Sequence, residues 1–170
     1  VVQEILLDGS RASLQPQAGK GRPRGRYTIC VLAKRSRDTF LTLEEIAQRL
    51  RIARGRIGFG GIKDARALTA QYVSFMDIPP ERITEIRVSG VKLHPVTFAA
   101  KPIKPDQIWG NDFSITVRDL GEKPSVLKTK LVAIVKELEE IGGTPNFFGH
   151  QRFGTVRPVT HLVGKRIALR

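Results

Sequence analysis

At 170 residues the chain is long enough for one hydrophobic core, and 41% hydrophobic with 26% charged residues is the composition of a soluble globular domain. Its longest near-apolar run, Tyr27 to Ala33, is far too short to span a bilayer, and the lone cysteine, Cys30, excludes an internal disulfide and a multi-cysteine metal site. The 29 Lys and Arg residues outnumber the 16 Asp and Glu, and the formal net charge of +13 suits a polyanionic partner.

In chain order, Val1 to Leu7 reads as a strand that starts without a methionine, so the chain is expected to be cut from something longer. Asp8 to Arg26, rich in Gly, Pro, Gln and Arg, lacks hydrophobic periodicity and is expected to form a flexible loop or arm. Tyr27 to Lys34 is a second strand, with Cys30 in its core-facing run, as fits a reducing, cytoplasmic setting. Thr42 and Glu45 have capping-box spacing, predicting a helix from there to about Ala53 with Leu43, Ile46, Ala47 and Leu50 on one face. Ile57 to Gly60 and Thr69 to Asp77 read as two strands joined by a charged turn. After the break at Pro79-Pro80, strands are expected over Ile83 to Val88, over Val91 to Ala100 with a bend near Pro95, and over Asp112 to Val117, where Phe113, Ile115 and Val117 alternate. Pro124-Ser125 opens a helix with an apolar stripe at Leu127, Leu131, Ile134, Leu138 and Ile141; Gly142-Gly143 stops it, and Val159 to Arg170 begins another helical pattern. Strands outnumber helices and neighbours are joined by short turns, which argues for an α+β fold with a mixed, mostly antiparallel sheet and helices packed on one side.

Charge is unevenly spread. Gly9 to Arg37 carries eight basic residues and Ile141 to Arg170 five, with no acid in either block. Such blocks either neutralise phosphates along a nucleic acid or serve solubility alone. Standard cofactor sites fail on inspection: Gly19-Lys20 lacks the rest of a P-loop, and Gly58-x-Gly60 is followed by Lys63 where a dinucleotide fingerprint needs glycine. His94, His150 and His161 are scattered, so no metal site is expected, and no serine sits in a Gly-x-Ser-x-Gly elbow.

Two stretches carry chemistry. In the first, Gly60 and Gly61 lead into Lys63-Asp64-Ala65-Arg66, where a carboxylate lies next to one cation and two residues from another. This is either a solvated turn or a setting that favours the anion of a nucleophile or base. In the second, glycines bracket Asn146, Phe147 and Phe148 beside His150, Gln151 and Arg152. Adjacent phenylalanines in an extended segment point to opposite faces, so either both are core or one is free to stack on a base.

The pattern Gly61, Lys63, Asp64, Ala67, Thr69, Gln71 resembles the active-site motif of the TruD-type tRNA pseudouridine synthases. Asn146 to Gly154 is similar to that family's second signature, and Gly110-Asn111-Asp112-Phe113 agrees with a weaker element between them. The resemblance implies a pseudouridine synthase catalytic fold and conversion of a uridine in tRNA to pseudouridine without cofactor, metal or obligate protein partner. It implies Asp64 as the catalytic aspartate, Phe148 as a stacking platform, Asn146 as a nucleotide contact, and Lys63, Arg66 and Arg152 as cations that balance the carboxylate or hold flanking phosphates. Gln71 is expected to be structural. It further implies that residues 1–170 are a partial catalytic domain, without the upstream strand region, the inserted second domain and the later strands. Two other readings compete: a non-catalytic basic RNA-binding module, and a carboxylate-dependent hydrolase, which needs a second acid near Asp64 with Asp77 and Asp112 as the candidates.

Overall fold

The computed structural model describes residues 1–16, 25–144 and 159–169. The chain divides into two compact units, Val1–Thr116 and Val117–Arg170.

The first unit is one six-stranded sheet built from β1 (Val2–Leu6), β2 (Tyr27–Arg35), β3 (Ile57–Phe59), β4 (Leu68–Met76), β5 (Val91–Ala99) and β6 (Ile108–Phe113), in the order β5-β2-β4-β1-β6 with β3 also on β4. All pairings are antiparallel except β1 with β4. The two richest apolar runs, β2 and β4, take the centre, where both faces of a strand are covered. Cys30 and Leu32 of β2 with Val73 and Phe75 of β4 meet Leu43, Ile46, Ala47 and Leu50 of α1 (Thr39–Leu50) and Ile83 of α2 (Pro80–Thr84). On the opposite face Ile29, Val31, Ala70 and Tyr72 are covered by Ala12 and Ile103. The α+β architecture with helices on one side of a mostly antiparallel sheet is therefore as expected.

One detail of register positions the site. β2 runs along one whole side of β4, so β1 and β3 must share the other, β1 opposite Thr69 and Ala70 and β3 opposite Val73 to Phe75. A chain leaving β3 cannot continue along that edge, because β1 occupies it. Residues 60–67 are accordingly lifted off the sheet before re-entering it as β4.

Several expectations are corrected. α1 starts earlier than the Thr42-Glu45 spacing suggests: Asp38 is the N-cap, its carboxylate accepting from the Leu41 amide, while Thr42 is buried inside the helix and donates back to the Asp38 carbonyl. Glu45 pairs with Arg37 and Arg49 instead of capping. The strand expected over Ile83 to Val88 is replaced by α2, because Pro80 at its first turn is preset for a helix; only an isolated bridge joins Val88 to Val91. β6 lies upstream of the expected strand, since its pairing with β1 ends at Phe113, and Ile115 and Val117 are exposed beyond it. The bend near Pro95 is a register shift against β2 on an edge strand, where a missing amide is tolerated. Residues 8–16, expected to be a flexible arm, are partly anchored: the Ala12 amide donates to the Glu4 carbonyl, Gln3 Nε2 donates to the Ala12 carbonyl, and Ala12 is fully buried.

The second unit contains α3 (Pro124–Ile141), which ends at Gly142 with φ 89°, a left-handed C-cap that glycine adopts without strain, and α4 (Thr160–Ala168). Both follow the sequence patterns. Of the α3 stripe, Leu131, Ile134 and Ile141 are exposed.

Candidate active site

The α1 face of the sheet changes character toward one end. In register, Cys30 lies opposite Val73, Leu32 opposite Gln71 and Lys34 opposite Thr69, so the apolar core gives way along the same face to buried polar side chains. Glu4, Thr39 and Lys63 complete this polar end, and all six side chains are buried. Buried polar groups are costly unless partnered, and several of these find partners in the lifted segment, although Thr69 Oγ1 and Gln71 Oε1 take none among the described residues. Gln71 Nε2 donates to the Gly61 carbonyl at 3.0 Å. The Lys63 amide donates to Thr39 Oγ1 at 3.1 Å, and the same hydroxyl lies 3.2 Å from the Lys63 carbonyl as donor. Lys34 Nζ donates to the carbonyls of Arg37 at 2.7 Å, Asp64 at 2.9 Å and Lys63 at 3.3 Å. Burial pushes the Lys34 ammonium below the ordinary lysine range, an effect partly offset by Asp38 and Asp64.

The side chain of Lys63 points into this cluster, its Nζ 2.7 Å from Glu4 Oε1. That contact is an ion pair off hydrogen-bond alignment, while Glu4 Oε2 accepts from the Tyr72 amide at 2.9 Å. Asp64 behaves oppositely. Its backbone is held from inside and its carboxylate is exposed, with Oδ1 accepting from the Arg66 amide at 2.7 Å in an Asx-type turn. Oδ2 takes no hydrogen bond from the described residues. The result is a carboxylate oxygen presented outward on a segment tied down at Gly61, Lys63 and Asp64. Arg66 is exposed beside it and makes no ion pair among the described residues.

The two glycines before this segment have separate reasons. A Cβ at Gly60 would sit 2.3 Å from Ile108 Cδ1 of β6, so a side chain there would force Ile108 to move, whereas Gly61 has no such neighbour closer than 3.8 Å. Neither has the positive φ that a glycine-dependent turn would show.

A family model described as tRNA pseudouridine synthase D (TruD) matches residues 1–170. The chain belongs to the TruD family. A relative from Methanopyrus kandleri, named "Probable tRNA pseudouridine synthase D", is 40% identical over 166 residues, which are 98% of this chain and 39% of the relative. One of the same name from Methanosarcina acetivorans is 43% identical over 143 residues, 84% of this chain and 32% of the relative. A crystal structure assigned to tRNA pseudouridine synthase D from Methanosarcina mazei superposes with a TM-score of 0.80 at 38% identity, covering 98% of this chain and 36% of that one. This chain thus spans about a third to two fifths of the length of the proteins it matches, and over that span its fold is the TruD pseudouridine synthase fold.

Of the residues that the TruD signatures single out, Asp64 and Arg66 lie together on the outward side of the loop. Lys63 does not join them: its ammonium is committed to Glu4 and buried, which removes it from phosphate binding and from direct pairing with Asp64. Gln71 is structural, holding Gly61. Asn146, Phe148 and Arg152 lie outside the described residues. Sequence reasoning missed Glu4, Lys34 and Thr39. The signal available for Glu4 and Lys34 was a charged residue in a core-facing strand position, where an unpartnered charge would be excluded.

The acid-free block from Gly9 to Arg37 is not acid-free in space. Arg11 pairs with Asp112 at 2.7 Å, Arg26 with Asp77 at 2.7 Å and Arg37 with Glu45, while Lys34 is buried. Arg35 is exposed and without an ion pair among the described residues, and with Lys92 it lines a groove of about 340 Å³ beside the end of β2. The same pairs engage Asp77 and Asp112, the two acids considered as partners of Asp64 in a hydrolase. Asp77 follows the far end of nine-residue β4, roughly 30 Å from where Asp64 precedes it. Asp112 lies opposite Gln3 of β1, hence on the sheet face away from Glu4, and is engaged by Arg11. Among the described residues no group of three or more His, Cys, Asp or Glu is placed to hold a metal, and no helix is long and apolar enough to cross a membrane.

Proposed function

We propose that the full-length protein converts a uridine in tRNA to pseudouridine, with this chain as part of its catalytic domain and Asp64 as the catalytic carboxylate. The observation that carries this reading is the contrast within one short loop: the backbone of Asp64 is held by buried side chains while its exposed carboxylate keeps one oxygen without a donor among the described residues. A fixed, outward carboxylate oxygen can attack the ribose or take a proton from it, and the base then detaches, turns and rejoins through carbon. Positioning supplies much of such a rate, because the nucleophile meets a nucleotide already out of its stack. The names of the relatives support tRNA as the substrate.

Arg66 and Arg35 are the cations we assign to flanking phosphates, both exposed and neither in an ion pair among the described residues. Phe148, Asn146 and Arg152 retain the roles their motif suggests: a stacking platform, a nucleotide contact and an anion-binding fork. No metal or cofactor takes part in this scheme. Incubating the full-length protein with uridine-labelled tRNA and digesting the product to nucleosides tests the proposal. Pseudouridine is the expected product; tRNA bound and returned unchanged would instead indicate a binding module.

A further inference from the structure

We propose that Lys34 is a positioning residue for this reaction: its buried ammonium ties the carbonyls of the two peptides flanking Asp64 to the turn between β2 and α1, and so sets where the carboxylate points. The inference rests on the reading of Asp64 as catalytic and deepens it.

The geometry is that of a three-point clamp. An ammonium has three donors, and Lys34 spends one on Arg37 in the β2–α1 turn and two on the loop, at Lys63 and Asp64. Lys34 sits on the same strand face as Leu32 and Cys30, where an apolar side chain would extend the core at no desolvation cost. A lysine there gives the Lys63 and Asp64 carbonyls a buried donor, and its charge lies behind the Asp64 peptide. Thr39, in the first turn of α1, grips Lys63 on both sides, accepting from its amide and donating to its carbonyl. The loop is thereby fixed to the rigid junction of β2 and α1, while the carboxylate itself is left open. The charged groups around the ammonium are Asp38 in the turn, Asp64 and Lys63 in the loop, Arg37 with its partner Glu45, and Glu4 of β1 behind Lys63.

The test uses the full-length protein with Lys34→Met, which keeps an unbranched chain one atom shorter and removes the charge and donors. Single-turnover rate should fall about 10- to 100-fold, the cost of a catalytic group misplaced by about an ångström, with the tRNA dissociation constant changed less than about threefold. The split between rate and affinity is a readout that loss of folded protein alone would not produce, since unfolding lowers the number of sites and leaves the single-turnover rate of each folded site unchanged. A folded Lys34→Met protein with the wild-type rate overturns the proposal. If Lys34→Met does not fold, Lys34→Gln decides: it keeps a polar end but loses the charge and the three-point clamp, and an unchanged rate would overturn the idea equally. Asp64→Asn run in parallel separates the two readings. Should it keep its rate, the assignment of Asp64 fails whatever Lys34 does; should it be inactive while Lys34→Met is fully active, only the clamp fails.

Discussion

The two ends of β4 carry the same chemistry in opposite settings. Before Leu68, Lys63 meets Glu4 at 2.7 Å; after Met76, Arg26 meets Asp77 at 2.7 Å. The first pair is buried, with side chains 6% and 0% exposed, and the second is open, at 68% and 44%. At each end a further cation binds backbone carbonyls, Lys34 on the loop that carries Asp64 and Arg56 on Met76 and Asp77. Distance therefore does not distinguish them. Burial does, because removing charges from water makes their mutual geometry obligatory, whereas an exposed pair can exchange its partner for water at little loss. The buried end is where a reactive side chain can be held to a fraction of an ångström, and that is the end that carries Asp64.

The largest effect that would break this contrast is on chemistry. Asp64→Asn in the full-length protein keeps shape and removes the charged oxygen, so nearly all turnover should vanish with tRNA affinity little changed. Retention of more than about a tenth of the single-turnover rate, roughly 1.4 kcal/mol of barrier, would remove Asp64 from the reaction. Next in size is the buried pair. Glu4→Gln leaves the Lys63 ammonium without its counter-charge and should destabilise the protein by about 3–5 kcal/mol, read from urea denaturation midpoints at an unchanged slope. A loss below about 1 kcal/mol would mean that water reaches this end as it reaches the other.

The exposed end sharpens the comparison through pH. Hydrogen bonding to Arg26, aided by its charge, holds the Asp77 carboxyl below the ordinary value of 3.8. A carboxylate depressed in the folded state contributes stability above that ordinary value and loses the contribution as pH falls through the lowered one. Arg26→Ala should therefore leave stability between pH 2 and pH 4 less dependent on pH, with an effect at pH 7 that disappears in about 1 M salt. An effect at neutral pH that persists in high salt would place this pair with the buried one. The smallest expected difference is in RNA binding: Arg35→Ala should lower the slope of log affinity against log salt by about 0.7 for a single-stranded phosphate contact, and Arg26→Ala, already paired with Asp77, by less. Equal slopes for the two variants would return the whole basic block to a role in RNA binding.

Much of the first unit was legible because its signals are local. The β-branched and apolar runs of Tyr27–Arg35 and Leu68–Met76 can be buried on both faces only in the middle of a sheet, and the 3.6-residue stripe of α1 can be covered only by packing on one. Failures came where two local signals competed. Thr42 with Glu45 satisfied a capping pattern, yet Asp38 caps the helix and Thr42 is needed inside it. Phe113, Ile115 and Val117 alternate like a strand, yet the ladder with β1 is spent by Phe113. Pro79-Pro80 read as a strand breaker alone, although proline at a first turn also begins helices.

By itself the sequence determined the fold class, the family and the motif residues, because periodicity and ordered motifs survive in one dimension. Tertiary structure decided which charges matter. Lys63 and Asp64 are neighbours in the chain and yet face opposite ways, since β1 holds the edge of β4 and forces the intervening segment over a buried glutamate. Arg11, Arg26 and Arg37, adjacent to no acid in their block, are paired by Asp112, Asp77 and Glu45 from other elements. Lys34 looked like one more cation of that block. Only the register of β2 against β4 places it under the loop, where an ammonium without water must take carbonyls as its partners and in doing so holds Asp64 in place.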